Sequence, residues 1–290
     1  MSTLVCKDVV KKYKDKVVLK DVNLSIEQGK IYGLIGRNGA GKTTLMSIMT
    51  AQNPQTSGRV FLDEQTVWEN RKALDHICFS REINTMCMFG ANNQKVKEYL
   101  RIAAIYYPNW DKDYAKSLID KFGINPNKKI SKLSKGMLSM VTIIIGLASK
   151  ADITILDEPV AGLDVVARRD FYNELIEEHT STNRTFVIST HIIEEAADVF
   201  EEVIFIHEGK LLLKENLVEL LDRAAYITGM SEVVDQAVSG LHVCHEEKMG
   251  RSKGATVLLE DGQSIDKSLD ITVQPVSLQN FFIALCGSES

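Results

Sequence analysis

Leu34-Ile35-Gly36-Arg37-Asn38-Gly39-Ala40-Gly41-Lys42-Thr43-Thr44 is the stretch that decides the fold. Two apolar residues end a strand, a glycine-rich turn follows, and a helix starts near Gly41. From Gly36 to Thr43 the segment fits G-x-x-x-x-G-K-[ST] at every position. Glycines let the backbone curl until successive N–H groups point inward at phosphate oxygens. The helix that follows turns its unpaired N–H groups and its dipole toward the same anion. A lysine at position 42 reaches β- and γ-phosphates, and the Thr43 hydroxyl suits Mg2+. The expected ligand is therefore Mg2+ with ATP, cradled by residues Gly36 to Thr44.

Working outward, the continuous apolar runs Ile153 to Leu156, Phe186 to Ser189 and Val203 to Ile206 read as strands buried on both faces. Helical segments separate them, which is the alternation of a parallel sheet covered by helices. The first of these runs ends in Asp157-Glu158. Carboxylates at the C-terminal end of a buried strand lie where α/β sheets bind ligands. There Asp157 would hold the Mg2+ shell, and Glu158 would polarise an attacking water as general base. An Asp-Glu pair alone often merely ends a strand; the loop at Gly36 to Thr43 gives it weight.

Residues 92–149 lose the strand pattern and favour helix, as expected of a helical insertion between parts of the sheet. They include the aromatic turn Tyr106-Tyr107-Pro108-Asn109-Trp110, which suits either core packing or a contact surface. From Asp222 the pattern changes to short β-like runs (Val257 to Leu259, Ile271 to Val273) and a final apolar helix, Leu278 to Leu285. That stretch reads as a small α+β appendage. His242 and His245 flank Cys244 there, at a spacing that fits surface residues better than metal ligands.

The 290 residues carry a net charge of −5, which offers no general electrostatic grip on nucleic acid. Apolar residues make up 44% and charged residues 25%, ordinary for a soluble globular protein with a sizeable core. Five scattered cysteines (Cys6, Cys78, Cys87, Cys244, Cys286) show no C-x-x-C spacing and suit a reducing cytosol. Met1 to Lys12 lacks the apolar centre of a signal peptide. The most apolar stretch, Val141 to Ala148, falls far short of the ~20 residues that span a bilayer.

Further motifs fall in one order along the chain, and together they resemble the ATP-binding subunits of ABC transporters over about the first 220 residues. Leu133-Ser134-Lys135-Gly136-Met137 is similar to that family's L-S-G-G-Q signature. Its Ser134 is a plausible helix N-cap, beside a helix end able to present N–H groups to phosphate. Ala161-Gly162-Leu163-Asp164 follows Glu158-Pro159 in the position of the loop between subunits, and His191 matches the switch histidine. Tyr13 stands where an aromatic stacks on adenine, although a lone Tyr in a strand also serves packing. Lys135 and Met137 depart from the signature. In Ile77-Cys78-Phe79-Ser80-Arg81-Glu82 the last residue replaces the usual Gln; Glu82 retains an oxygen for Mg2+, or belongs to a solvated Arg81-Glu82 pair.

The resemblance implies an α/β phosphate-loop NTPase with a parallel sheet core, an antiparallel β subdomain and a helical subdomain. The expected ATP-binding domain covers 1–221, its helical subdomain about 92–150, and a C-terminal accessory domain covers 222–290. Two such subunits, as a homodimer or a heterodimer, would close head to tail around ATP. Ser134 and Gly136 would then complete the partner's site and Asp164 would serve the contact between subunits. Catalysis would fall to Glu158 and His191, and metal binding to Thr43, Asp157 and Glu82. The implied role is the ATP-hydrolysing subunit of an exporter, cytoplasmic and held on the inner face of the cell membrane by a separate permease. A soluble, non-transport ABC ATPase is the alternative.

Overall fold

The computed structural model describes residues 2–83, 94–266 and 268–287. By packing, the chain forms two units. The first comprises Met1–His191 with Glu202–Lys214, and the second Ile192–Glu201 with Glu215–Ser290. The division falls ahead of Leu221, and it assigns the short segment after His191 to the second unit.

In the first unit β1 (Thr3–Tyr13), β2 (Lys16–Glu27), β4 (Ser57–Leu62) and β5 (Gln65–Thr66) build an antiparallel sheet in the order β2-β1-β4-β5. β1 alternates buried Leu4 and Cys6 with outward-facing neighbours, the pattern of a sheet with one face on a core. β3 (Ile31–Ile35) is buried at every position and runs in the second sheet. There it pairs in parallel with β8 (Thr185–Thr190) and β9 (Glu202–His207). β7 (Ile153–Asp157) extends the parallel set beyond β8, and β6 (Ile77–Ser80) lies beyond β7. The order is β10-β9-β3-β8-β7-β6, with β10 (Lys210–Asn216) returning from β9 through Glu208-Gly209.

One apolar cluster joins the two sheets through α1 (Lys42–Met49): Leu4, Leu24 and Ile26 meet Leu45, Met46, Ile155 and Ile204. Each such side chain contributes about 1.5–3 kcal/mol by burial, so the loop ahead of α1 is held between two rigid layers. A single helical turn, α2 (Arg71–Leu74), precedes β6, and between β6 and β7 lie α3 (Val96–Tyr106), α4 (Lys112–Lys121), a 3-10 turn at Ile130–Lys132 and α5 (Lys135–Ala148). This is the helical insertion read from the sequence. Its apolar run Val141–Ala148 is wholly buried in α5. The aromatic turn divides: Tyr106 is exposed, while the Tyr107 hydroxyl is buried beside Cys78. α6 (Val165–Thr182) leads from β7 to β8.

The second unit is α+β. Strands β11 (Ala224–Met230), β12 (His242–Met249), β13 (Ser252–Leu258) and β14 (Ile271–Pro275) form an antiparallel sheet in the order β12-β13-β11-β14. α9 (Ser231–Ala237) covers it through Val234, over Ile227, Ala255 and Val257. α8 (Leu217–Arg223) precedes the sheet and α10 (Leu278–Gly287) follows it. α10 buries Leu278, Phe281, Phe282 and Ala284 and packs on α7 (Ile193–Ala197), where Gln279 donates to Glu194 at 3.2 Å. Cys244 is buried on β12 and His242 exposed. Among the described residues Cys6, Cys78, Cys244 and Cys286 form no disulfide; Cys87 lies outside the described residues. Among the described residues no helix is long and apolar enough to cross a membrane.

Candidate functional site

The loop after β3 is shaped by close approach of its own backbone to neighbouring strands. A Cβ on Gly36 would stand 2.5 Å from the Ile206 carbonyl of β9. Gly41 has φ +108° and would put a Cβ 2.8 Å from Leu19, so only glycine fits both turns. Gly209 donates to the Ala40 carbonyl at 3.0 Å, and Ala40 to the Arg37 carbonyl at 3.1 Å, which fixes the curl. Gly41 caps α1 without a side chain, so the first-turn N–H groups face the loop's concavity. Arg37, Asn38, Gly39 and Thr43 are exposed, Thr44 half-buried, and Ala40 and Gly41 buried.

Lys42 folds back across this loop. Its Nζ donates to the Gly36 carbonyl at 2.6 Å and the Arg37 carbonyl at 3.4 Å, and stands 3.9 Å from Glu158 Oε1. Burial pulls the ammonium below the ordinary lysine pKa, while Glu158 and Asp157 oppose that shift. A phosphate arriving in the loop would add the anion that a desolvated ammonium lacks.

At the end of β7 the carboxylates are fixed by β8. Asp157 stands opposite Ser189 in the parallel register. The Ser189 hydroxyl donates to Asp157 Oδ1 at 2.6 Å and accepts the Glu158 N–H at 2.9 Å. Thr43 Oγ1 donates to the other Asp157 oxygen at 2.8 Å, which joins the strand end to the loop. Glu158 sits at φ +50°, a left-handed conformation costing a non-glycine residue about 1–3 kcal/mol. In that conformation its carboxylate meets Lys42 on one side and accepts a 2.6 Å bond from His191 Nδ1 on the other. Sequence reading placed Ser189 only as a strand end. Its part in holding the Asp157 carboxylate and the Glu158 backbone comes from register, which no local motif announces.

Among the described residues no cluster of three or more His, Cys, Asp and Glu is arranged for a metal. Mg2+ needs none, since it is held by one or two carboxylates, waters and the nucleotide's own phosphates. The hydroxyl and carboxylate of Thr43 and Asp157, already in contact, fit that donor set.

The remaining sequence-predicted residues fall in three places. Tyr13 is half exposed at the end of β1, its hydroxyl accepting from Asn53 and its ring 4.7 Å below Lys11 Nζ. Ser134 caps α5, accepting the Met137 N–H at 3.3 Å, and Asp164 caps α6, accepting the Ala167 N–H at 2.9 Å. The two caps are neighbours: a Cβ on Gly136 would lie 2.6 Å from the Gly162 carbonyl, and Ser139 donates to the Ala161 carbonyl at 2.7 Å. The Glu82 carboxylate pairs with Lys135 Nζ at 3.5 Å.

A glycine-lined anion cradle at a helix N-terminus, faced by two strand-end carboxylates, defines a phosphate-loop ATPase. The ABC transporter family pattern matches residues 19–161. The chain is 32% identical over 222 residues to the lantibiotic transport ATP-binding protein SrtF of Streptococcus pyogenes, covering 73% of this chain and 93% of that protein. It is 29% identical to the ABC transporter ATP-binding protein YtrB of Bacillus subtilis, over 94% of each chain. A dimeric ATP-binding cassette in a post-hydrolysis state with ADP and Pi superposes with a TM-score of 0.64 at 22% identity, covering 74% of this chain and 98% of that one. The chain belongs to the ABC transporter ATP-binding proteins and is an ATP-hydrolysing subunit with the fold of that family.

Proposed function

We propose that this subunit powers an exporter whose membrane-spanning permease is a separate chain. The transport proteins it resembles support the export reading, and nothing among them favours the non-transport alternative. The observation that carries the catalytic part is the 2.6 Å bond between His191 and a Glu158 whose second oxygen faces Lys42. Glu158 accepts the proton of the attacking water as general base, and His191 orients that carboxylate. Residues Gly36 to Thr44 hold the phosphates of ATP, Tyr13 stacks on the adenine, and Mg2+ sits at Thr43 and Asp157. Two copies, or this chain and a similar one, close head to tail so that Ser134 and Gly136 reach the partner's nucleotide and Asp164 lies at their contact.

A groove of about 580 Å³ opens beside β6, lined by Leu74, Phe79, Ile83, Tyr99, Ile102 and Tyr106. In this reading a cytoplasmic helix of the permease docks there and holds the subunit on the inner face of the membrane. The experiment is membrane fractionation of the tagged chain co-expressed with its neighbouring genes. Recovery with a permease in the membrane fraction is expected. Recovery as a free species under those conditions overturns the transport assignment, while loss of nucleotide binding in Lys42→Ala checks the phosphate loop.

A further inference from the structure

The two clearest departures from the family pattern, Glu82 in place of Gln and Lys135 in place of Gly, meet in space. Glu82 follows β6 and Lys135 opens α5, yet Lys135 Nζ stands 3.5 Å from Glu82 Oε1. The stem of the same lysine lies across the turn after the catalytic strand. A Cβ on Gly162, where φ is +81°, would fall 3.0–3.3 Å from Lys135 Cβ, Cγ and Cδ. One side chain therefore touches the signature turn, the 161–164 loop and the segment after β6.

Charge explains why the two replacements belong together. Lys135 occupies the first turn of α5, which contains no acidic residue. A cation there opposes the positive end of the helix dipole. The Glu82 carboxylate offsets it. Both side chains are more than half exposed, so the pair is weak and salt-sensitive.

We propose that Lys135 is a positioning residue, latched to Glu82, that sets the placement of the Ser134–Gly136 turn before ATP closes the dimer. Its consequence for turnover rests on the ATPase reading above; the latch itself does not.

The test is amide hydrogen exchange over residues 134–138 in the intact, nucleotide-free chain, so its outcome is independent of catalysis. Glu82→Gln is expected to raise exchange about two- to fivefold, the scale of an exposed ion pair, and to do nothing in a Lys135→Met background. Methionine keeps an apolar stem over Gly162 and removes only the charge. In 1 M salt the parent should exchange like Glu82→Gln. For turnover, Lys135→Met should lower kcat with little change in KM for ATP, and Lys135→Arg should restore it. An effect of Glu82→Gln that is absent, or equal with and without Lys135, overturns the latch. Lys135→Arg behaving like Lys135→Met overturns the positioning role.

Discussion

The left-handed Glu158 donates its backbone N–H to both the hydroxyl and the carbonyl of Ser189, and its carboxylate is shared between Lys42 and His191. Glu158→Gln keeps the shape and, in the proposed mechanism, removes the base. ATP affinity should hold while hydrolysis slows by ~10²-fold or more, and an ATP-bound dimer should accumulate on size exclusion. Unaltered hydrolysis would remove Glu158 from the base's role. Ser189→Ala is expected to leave the fold intact and lower turnover by about 10–100-fold, the usual loss when the support of a ligand or base is removed. Steady-state phosphate release measures it. Asp157 and Glu158 were legible in the sequence because an apolar run ending in carboxylates has a known place in a parallel sheet. Ser189 was not, because its partner is set by the register of β7 on β8. Glu82 was legible only as a replacement, since nothing in the chain order points it at Lys135.

Elements of the cassette are tied by buried charges that local sequence conceals. Arg184, in the turn between α6 and β8, is buried and donates to the Gly146, Leu147 and Ala151 carbonyls, to Thr154 Oγ1 and to Glu178. It joins the end of α5 to β7 and α6. Arg184→Met would leave those carbonyls without the guanidinium and Glu178 with Lys150 alone. A loss of about 3 kcal/mol is expected, the low end for breaking a buried pair because Lys150 remains; urea unfolding measures it. At the other edge Glu27 of β2 joins β3 and β10. Burial resists its ionisation, but bonds from Lys214, Tyr32 and Ser25 prevail and hold its pKa at about 2 against an ordinary 4.5. A depressed carboxylate stabilises the fold above its unfolded pKa and loses that contribution as protonation proceeds. Melting temperature should therefore fall as pH drops from 4.5 toward 2. Glu27→Gln should flatten that slope, and an unchanged slope would remove Glu27 from the acid response.

At the scale of the whole chain, the sequence reads as a cassette followed by an appendage from Asp222, whereas by packing the second unit begins at Glu215 and also takes in Ile192–Glu201. What the sequence did not show is that the second unit is discontinuous. Ile192–Glu201 carries too few residues to display a period of its own, and it follows His191 without a break in composition. Its membership comes from α7 packing on α10, residues far apart in the chain. His191 of the proposed mechanism is followed in the chain directly by Ile192, the first residue of the second unit. Removing residues 215–290 therefore does not release a clean cassette. It leaves Ile193, Ala196, Val199 and Phe200, all buried in the intact chain, on a segment stripped of α10 and of the bond from the Leu217 amide to the Glu201 carbonyl. The loop from Gly36 to Thr44 and its β3–α1 setting are untouched by the cut. Fragment 1–214 should bind a fluorescent ATP analogue about as well as the intact chain, bind an apolar dye more strongly, and turn over more slowly because His191 loses its anchored neighbour. Equal turnover at equal affinity would mean that the first unit positions His191 unaided, and that the segment after it has no part in catalysis.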